Sequence, residues 1–575
     1  MGADSVDYHR ATVIGRSDDH PGQALAYYAS RGETPLRWGG AGAQALGLVG
    51  NVTDAQYSAV YGPGGASDPT TGTRLVTTKR PGMELVVAAH KSVAELGVLG
   101  RGEDMHQIMD AERDATLAYL EELTKDRGGR RGRAAVPTPT TGLVYATARH
   151  ATSRAGDPAP HDHVLVANVV DMADETGGHK AADTALWREH VHAATMVGRV
   201  AAAAVAVELG YAIRADDGPS GRLGHWAIDG IPEEALDVHS KRAVEITAAV
   251  AAKGYDTYQA RQVAARETRR AKHHRPVADL VWHWQGELAD AGYPVDELLS
   301  FIQRAGAERA LRPERLEQKE MSAVVAEALA PDGPLATRKV FSRKDVVVAV
   351  APALFGAQPA QLDRAVEAVL ADSETIPLLH VAGAKERAYA CASVIAVEAA
   401  IAERVAAQAE RSDAAVVAFP VLDRAMSEAE AALGGRALTM GQTDAVIAIC
   451  TSGRGLDLVV GVAGSGKTTT LNVARAAFEA AGYEVVGTST SGQAARTLGR
   501  QAGIAQSRTL ASLLWRLDHG SLSLSRRCVI ILDEAAMTDD ADILRLLVTT
   551  EAAGAKVVMV GDDRQLGSVG PGGAL

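Results

Sequence analysis

The stretch Leu456-Asp-Leu-Val-Val-Gly-Val-Ala-Gly-Ser-Gly-Lys467-Thr468 decides the fold of the C-terminal part of this chain. Its beginning is apolar and strand-like, its middle fits the pattern GxxxxGK[ST], and a helix-like run over residues 469–481 follows. A phosphate-binding loop requires this strand–loop–helix order, because glycines let the backbone wrap phosphate groups at the start of a helix. The stretch therefore predicts a nucleotide-binding α/β domain.

The chemistry of such a loop assigns a role to each of its residues. The backbone N–H groups hold the phosphates, Lys467 reaches the β- and γ-phosphates, and Thr468 binds Mg²⁺. The predicted nucleotide-binding residues of the loop are Gly461, Gly464, Ser465, Gly466, Lys467, Thr468 and Thr469. ATP with Mg²⁺ is the expected ligand.

Further apolar runs, at residues 483–488, 528–532 and 556–560, alternate with helical segments, which is typical of a parallel sheet. The second run ends in Asp533-Glu534, and this places two carboxylates at the sheet edge where the phosphates are expected. We expect Asp533 to hold the magnesium through water and Glu534 to polarise the attacking water.

The segment Gly561-Asp-Asp-Arg-Gln-Leu566 resembles the GDxxQL motif of superfamily 1 helicases, and the stretch DEAAM at 533–537 is similar to the RecD-like branch. The resemblance implies that Gln565 senses the γ-phosphate and that Gln442 contacts adenine. An ordinary exposed side chain is the alternative for Gln442.

Residues 488–495, TSTSGQAA, stand where that branch contacts single-stranded DNA, but the Pro and Arg usual there are missing. Arg496 and Arg500 are candidates to replace them. The chain stops at Leu575, before a second RecA-like lobe, so we expect nucleotide binding with little strand separation unless the chain is a fragment of a longer protein.

A second informative stretch is His150-Ala-Thr-Ser-Arg-Ala-Gly-Asp-Pro-Ala-Pro-His161-Asp-His163. Side chains alternate along a strand, so His161 and His163 point to one face and Asp162 to the other. With His150, the two imidazoles predict a three-nitrogen metal site that is open to a substrate oxygen. The spacing alone also fits a structural or solvent-facing pair.

The surrounding pattern HxTSRxxDPxxHxHxxxxN resembles the metal-binding motif of MobF-type conjugative relaxases, the family of TrwC, TraI and TraA. Further similar segments are WGGAGAQALGL at 38–48, HKSV at 90–93, WAIDGIP at 226–232 and SKR at 240–242. Such proteins join an N-terminal relaxase to a RecD-like helicase, so the resemblance covers nearly the whole chain.

The resemblance implies a transesterification on single-stranded DNA at a transfer origin. A tyrosine attacks one phosphodiester and forms a 5′-phosphotyrosyl enzyme. A divalent metal, Mg²⁺ or Mn²⁺, held by His150, His161 and His163 would act as a Lewis acid. A type IV secretion coupling protein and accessory relaxosome proteins are the further partners that the resemblance implies.

The nucleophile is expected to be Tyr27 or Tyr28, which align with the second of the family's two tyrosine pairs. Tyr8 is the other candidate, and a nicking-defective protein is the third outcome. Glu84 stands where the family has an Asp that orients a histidine or accepts the tyrosine proton. The predicted DNA-binding residues are Arg130, Arg131 and Arg154.

The fold class expected is multidomain. Its parts are an α+β relaxase domain with an antiparallel sheet palm at 1–245, a helical connector at 246–335, a helical pre-helicase region at 336–430 and an incomplete α/β RecA-like P-loop lobe at 431–575. The length of 575 residues and the composition, 47% hydrophobic and 23% charged, fit several globular domains.

The formal net charge of −12 argues against a protein that coats nucleic acid by bulk electrostatics. Three cysteines without a CxxC pair favour a reducing, cytoplasmic location, and no apolar run is long enough to predict a membrane span. Two alternatives stay open: a DNA-binding ATPase with a degenerate relaxase half, and a metal-dependent nuclease or hydrolase fused to an unrelated NTPase.

Overall fold

The computed structural model describes residues 35–124, 140–153, 155–172, 178–216, 224–252, 258–268, 277–310, 318–379, 386–462, 464–562 and 571–572. The chain divides into two compact units, Met1–Val325 with Lys344–Ala368 and Ala326–Arg343 with Val369–Leu575, called here the N-terminal and the C-terminal unit. The candidate residues outside the described ranges are Tyr8, Tyr27, Tyr28, Arg130, Arg131, Arg154 and Gln565. The domain boundaries predicted after residues 245, 335 and 430 stay predictions.

A four-stranded antiparallel sheet lies at the centre of the N-terminal unit. Its strands, in the order β1-β3-β4-β2, are β1 (Arg37–Gly39), β2 (Gly82–Ala88), β3 (Tyr145–Thr152) and β4 (Pro158–Ala167). Two antiparallel pairs accompany it: β5 (Val170–Asp171) with β6 (His179–Lys180), and β7 (Ile213–Ala215) with β8 (Trp226–Ile228). The prediction of an antiparallel sheet is confirmed.

Helices surround this sheet and continue beyond it. Up to residue 371 they are α1 (Ala41–Ala45), α2 (Asp54–Tyr61), α3 (Lys91–Val98), α4 (Gly102–Glu122), α5 (Thr184–Glu208), α6 (Glu233–Val238), α7 (Lys241–Ala251), α8 (Tyr258–Glu267), α9 (Val277–Asp290), α10 (Val295–Ala310), α11 (Gln318–Leu329), α12 (Arg343–Val350) and α13 (Pro359–Ala371). A 3₁₀ turn, Ala351–Leu354, follows α12.

The two faces of the central sheet pack into separate cores. On one face, Leu165 of β4 packs in a cluster with Tyr61 of α2. On the other face, Val164 of β4 packs with Leu117 of α4 and Trp187 of α5. Because side chains alternate along a strand, the odd-numbered residues of β4 share the first face and the even-numbered ones the second.

The helix α4 is an amphipathic helix of 21 residues. It begins at Gly102, with Glu103 and Asp104 in its first turn. Carboxylates at that position interact favourably with the unpaired N–H groups and the dipole of a helix N-terminus. Met105 and Ile108 are buried and extend the apolar stripe toward the start of the helix.

The alanine-rich segment 201–206 lies in α5 and is largely buried. Ala202, Ala203 and Ala206 are fully buried. A Cβ atom at Gly198 would lie 2.2 Å from Thr116 Oγ1, so the small residue allows α5 to approach α4 closely. Within the described residues α5 alone is long and apolar enough to cross a membrane, and 61% of its most apolar window is buried inside the protein.

A five-stranded parallel sheet forms the centre of the C-terminal unit. Its strands, in the order β12-β16-β15-β13-β14, are β12 (Leu456–Val460), β13 (Glu484–Ser489), β14 (Gln506–Thr509), β15 (Cys528–Leu532) and β16 (Lys556–Gly561). A small antiparallel sheet precedes it, formed by β9 (Phe341–Ser342), β10 (Thr375–Pro377) and β11 (Ala388–Cys391). The prediction of a parallel sheet is confirmed.

Helices cover both faces of the parallel sheet. They are α14 (Ala392–Glu410), α15 (Phe419–Ala432), α16 (Met440–Thr451), α17 (Lys467–Ala480), α18 (Gly492–Gln501), α19 (Leu510–Asp518) and α20 (Asp540–Ala553), with a 3₁₀ turn at Ala535–Met537. Every residue of β15 is buried, Val529 and Ile531 in one core and Ile530 and Leu532 in the other. The carboxyl ends of β12, β16 and β15 meet at one sheet edge, which positions the phosphate loop beside Asp533 and Glu534.

Candidate metal centre and nucleotide-binding loop

The hairpin of β3 and β4 brings the three predicted histidines together. His150 on β3 lies directly opposite His161 on β4, and Ala148 lies opposite His163. The antiparallel register therefore places all three imidazoles on one face of the sheet. The pairing shifts between His150 and Thr152, so the hairpin becomes irregular where it leaves the histidines.

The three imidazole rings are neighbours in space. The ring centroids of His150 and His163 lie 4.5 Å apart, those of His161 and His163 4.9 Å, and those of His150 and His161 5.4 Å. One ring nitrogen from each residue lies within 4.8 Å of the other two. His150 is buried and the other two are half-buried, so the cluster is closed on one side and accessible on the other.

Hydrogen bonds at Nδ1 orient two of these rings. His163 Nδ1 lies 2.6 Å from Glu84 Oε1, and His161 Nδ1 donates to the carbonyl oxygen of Ala159 at 2.7 Å. Since carbonyl and carboxylate oxygens accept, both histidines are assigned as Nδ1–H tautomers. In the neutral form of these tautomers Nε2 carries no proton and is the atom that can bind a metal.

The position of Glu84 follows from the register of β2. Glu84 lies opposite Leu165, and Val86 lies opposite His163, so Glu84 and His163 share a face at neighbouring positions. Of the two roles that the sequence left open for Glu84, the observed bond to His163 matches the orienting role.

Three imidazoles, two of them held by hydrogen bonds at Nδ1, fit a divalent cation. Imidazole nitrogen suits transition-metal ions, whereas Mg²⁺ prefers oxygen ligands in octahedral geometry. Of the two cations that the sequence suggested, Mn²⁺ therefore matches the donor set of His150, His161 and His163 better.

Asp162 points to the opposite face, as the strand alternation predicted. It is 1% exposed and receives two hydrogen bonds from Arg149, Nε to Oδ1 at 2.7 Å and Nη2 to Oδ2 at 2.6 Å. Arg113 of α4 lies 3.5 Å from the same carboxylate. The ion pair between Arg113 and Asp162 joins the hairpin to α4. Asp162 therefore lies outside the metal cluster.

The predicted phosphate loop connects β12 to α17. Lys467 Nζ donates to the carbonyl oxygen of Gly461 at 2.6 Å, and the N–H of Gly461 donates to Gly561 O at 3.1 Å. Gly464 and Gly466 have φ angles of +79° and +83°, which favour glycine. Gly464 and Gly466 thus have the backbone conformation that the sequence pattern requires of them.

Gln442 lies against this loop. It occupies the first turn of α16, where its side chain accepts from the N–H of Thr439 at 2.9 Å and donates to Gly466 O at 3.5 Å. A Cβ atom at Gly466 would lie 2.1 Å from Gln442 Nε2, so glycine is needed for this close approach. Thr468 and Thr469 lie in the first turn of α17 and are partly exposed.

Asp533 and Glu534 follow β15 at the same sheet edge. Burial raises the pKa of Asp533, while the N–H of Glu534 and the charge of Lys467 oppose that rise. Burial and the neighbouring Asp533 raise the pKa of Glu534. Burial is thus the larger cause of both pKa shifts, and the charge of Lys467 opposes both.

Glu534 has a left-handed backbone, with φ +57° and ψ +40°, and no other non-glycine residue in the described ranges has a positive φ. Such a conformation costs roughly 1–3 kcal/mol for a residue with a side chain, and it is found preferentially at functional sites. Sequence reasoning missed this strain because glutamate carries no signal for it.

The predicted DNA-contacting segment begins in the sheet and ends in a helix. Thr488 and Ser489 are fully buried in β13, and Ser491 caps α18 by accepting from the N–H of Ala494 at 3.1 Å. Arg496 and Arg500 are exposed and lie one turn apart on α18.

Two family models match the chain. Residues 3–291 match the TrwC relaxase model, and residues 437–575 match the AAA domain model. The first match includes the histidine cluster and extends past residue 245, and the second includes the phosphate loop.

Two curated relatives illustrate the similarity. The probable conjugal transfer protein TraA of Sinorhizobium fredii (strain NBRC 101917 / NGR234) is 45% identical over 117 residues, which are 20% of this chain and 10% of that protein. The multifunctional conjugation protein TraI of Escherichia coli (strain K12) is 29% identical over 347 residues, 57% of this chain and 19% of that protein. The chain thus spans a small part of the length of these relatives.

Two solved structures are also similar. Both are of the conjugative relaxase TrwC in complex with oriT DNA. The metal-bound structure has a TM-score of 0.43 and 21% identity, and covers 51% of this chain and 98% of its own. The metal-free structure has a TM-score of 0.41 and 23% identity, and covers 48% of this chain and 97% of its own.

Proposed function

This chain belongs to the TrwC relaxase family, whose model matches half of it, and we propose that its N-terminal unit nicks single-stranded DNA at a transfer origin through a covalent tyrosine intermediate. The relatives TraA and TraI are conjugation proteins by name, which supports conjugative transfer as the process that this reaction serves. An AAA domain on the same chain supports an ATP-dependent step on DNA.

The proposed reaction is a transesterification. The hydroxyl oxygen of Tyr27 or Tyr28 bonds to the phosphorus of one phosphodiester, and the bond from that phosphorus to the 3′ oxygen breaks. The tyrosine proton leaves to a base, and the departing 3′ oxygen becomes a hydroxyl. The protein is then linked through its tyrosine to the 5′ phosphate of the DNA. The new phosphodiester conserves the free energy of the broken one, so the DNA strand can be rejoined.

The histidine cluster is the proposed binding site of the scissile phosphate. A divalent cation bound by His150, His161 and His163 would polarise a non-bridging oxygen. Glu84 holds the His163 ring through Nδ1, which fixes the direction of the metal-binding nitrogen. We propose Glu84 as a positioning residue rather than as the acceptor of the tyrosine proton.

The observation that carries this proposal is the convergence of three imidazoles on one sheet face, two of them with Nδ1 already bonded. A metal-dependent hydrolase would use the same cluster, so the covalent product is the decisive difference. The test incubates the protein and Mn²⁺ with 5′- or 3′-labelled single-stranded oligonucleotides that tile the mobile element carrying its gene.

We expect one oligonucleotide to give a denaturation-resistant adduct with the protein and a free 3′-hydroxyl fragment. The double variant Tyr27→Phe, Tyr28→Phe should lose the adduct, while Tyr8→Phe should keep it. Cut DNA without any adduct would instead indicate a hydrolase, and binding without cutting would indicate a DNA-binding ATPase with a degenerate relaxase half.

For the C-terminal unit we propose ATP binding and hydrolysis. Lys467 would bind the β- and γ-phosphates, Thr468 and Asp533 would hold Mg²⁺, and Glu534 would polarise the attacking water. Gln442 Nε2 lies 3.5 Å from Gly466 O, and this position beside the loop supports the proposed adenine contact. The γ-phosphate-sensing role of Gln565 stays a prediction. Lys467→Ala should abolish ATP binding as measured by fluorescence of a labelled ATP analogue.

A further inference from the structure

The loop that joins β3 to β4 is a compact turn next to the histidines. Its N–H at Ser153 donates to the carbonyl oxygen of Asp157 at 2.9 Å. Ser153 Oγ in turn accepts from the N–H groups of Ala155, at 3.1 Å, and Asp157, at 3.2 Å. The described residues of the loop, Ser153 and 155–157, are therefore joined to one another by hydrogen bonds.

Three other elements of the N-terminal unit hold this loop from outside. Trp284 Nε1 in α9 donates to the carbonyl oxygen of Gly156 at 2.9 Å. The backbone N–H of Arg242 in α7 donates to Asp157 Oδ2 at 3.1 Å, and Lys91 Nζ in α3 donates to Pro158 O at 3.0 Å. Successive positions of the loop are thus bonded to three different helices.

Trp284 is the most firmly anchored of the three residues that hold the loop. Its side chain is 4% exposed and lies in the same apolar cluster as Leu288 of α9 and Leu96 of α3. The contact joins residues 128 positions apart in the sequence. Because the indole is fixed by the core, its N–H offers the loop a rigid attachment point.

Movement of the loop would move two of the three histidines. His150 precedes Ser153 on β3, His161 follows Asp157 on β4, and the two are directly paired. Their ring centroids are 5.4 Å apart, and the loop connects the two strands just beyond this pair. A metal site needs its ligands within fractions of an ångström of their bound positions.

We propose that Trp284 is a positioning residue of the metal centre, which acts through the Gly156 carbonyl to fix the separation of His150 and His161. The inference rests on the proposed metal centre. It extends the outer support of the site from Glu84, which touches a ligand directly, to α9, which acts through the backbone of the loop.

The test compares Trp284→Phe, which keeps an aromatic ring but lacks the N–H, with Trp282→Phe as control. Trp282 lies on the same helix but is 79% exposed. Loss of one hydrogen bond should raise the Mn²⁺ dissociation constant of the full chain about fivefold by titration calorimetry in Trp284→Phe. Trp282→Phe should bind like the wild type.

Two further readouts separate positioning from general stability. The visible absorption of bound Co²⁺ should shift in Trp284→Phe and not in Trp282→Phe, and amide exchange at residues 155–157 of the metal-free protein should accelerate. A lowered melting temperature with unchanged Mn²⁺ affinity and Co²⁺ spectrum would overturn the inference. If Trp284→Phe fails to fold, the second variant is Lys91→Met, which removes the contact to Pro158. Lys91→Met should weaken Mn²⁺ binding, and a wild-type Mn²⁺ affinity of this variant would overturn the inference.

The two proposals fail in different ways. Wild-type protein that binds Mn²⁺, together with a Trp284→Phe variant that binds it equally well, removes the positioning role alone. Wild-type protein that binds neither Mn²⁺ nor Co²⁺ removes the metal centre and this inference with it.

Discussion

His163 Nδ1 lies 2.6 Å from Glu84 Oε1, across two neighbouring strands of the N-terminal sheet. A carboxylate at this distance fixes the tautomer and the rotation of the imidazole and makes its other nitrogen a stronger metal ligand. We therefore propose that Glu84 positions a ligand of the proposed metal centre without being a ligand itself.

Glu84→Ala should weaken Mn²⁺ binding by about tenfold, because changes in the outer hydrogen bonds of a metal site usually cost 10–100-fold in affinity. Glu84→Gln can still accept from Nδ1 through its amide oxygen and should lose less. Titration calorimetry measures both. Glu103→Gln, an exposed glutamate of the same unit, is the control, and equal affinity in Glu84→Ala and wild type would contradict the role.

A buried acid on α4 predicts a dependence of stability on pH. Glu112 is 6% exposed, and burial raises its pKa to about 7, partly opposed by Arg199. Between pH 4.5 and 7 the folded state therefore binds more protons than the unfolded state. Stability should fall as the pH rises through this window, by about 3 kcal/mol in all.

Glu112→Gln removes this titration, so its melting temperature should rise relative to that of the wild type as the pH increases from 5 to 8. Scanning calorimetry of both proteins across that range measures the difference. Glu122→Gln, exposed on the same helix, is the matched control. A Glu112→Gln profile parallel to the wild type would show that Glu112 is not protonated in the folded state.

Two substitutions of Glu534 distinguish the effect of its left-handed backbone on stability from the role of its carboxylate in ATP hydrolysis. Glu534→Gln keeps the strain and removes the carboxylate, so ATP binding should stay while hydrolysis falls by at least 100-fold. Glu534→Gly removes the backbone strain as well as the carboxylate. Relief of the strain should also raise the melting temperature by a few degrees. Phosphate-release assays and calorimetry measure the two effects. Hydrolysis by Glu534→Gln at the wild-type rate would contradict the catalytic role.

Much of both sites follows from local sequence patterns. The alternation of His161, Asp162 and His163 is fixed by strand geometry, and the structure confirms which side chains share a face. The phosphate loop and the strand before Asp533 likewise depend on neighbours in the sequence, which is why their positions were predictable.

The contacts that the sequence did not predict join distant positions. Trp284 reaches Gly156 across 128 residues, and Asp162 pairs with an arginine of α4 that nothing in the histidine motif indicates. Such contacts depend on how helices pack on a sheet, and one sequence contains no signal for that packing. The histidine motif likewise does not indicate that the register of β2 places Glu84 beside His163.

The most direct measurement is the identification of the residue that carries DNA after the adduct is digested to peptides and analysed by tandem mass spectrometry. The proposed mechanism predicts a nucleotide phosphate on Tyr27 or Tyr28, formed only when His161 and His163 are intact. A phosphate on Tyr8 would contradict the choice of nucleophile. Cleaved DNA with no modified peptide would contradict the covalent mechanism itself.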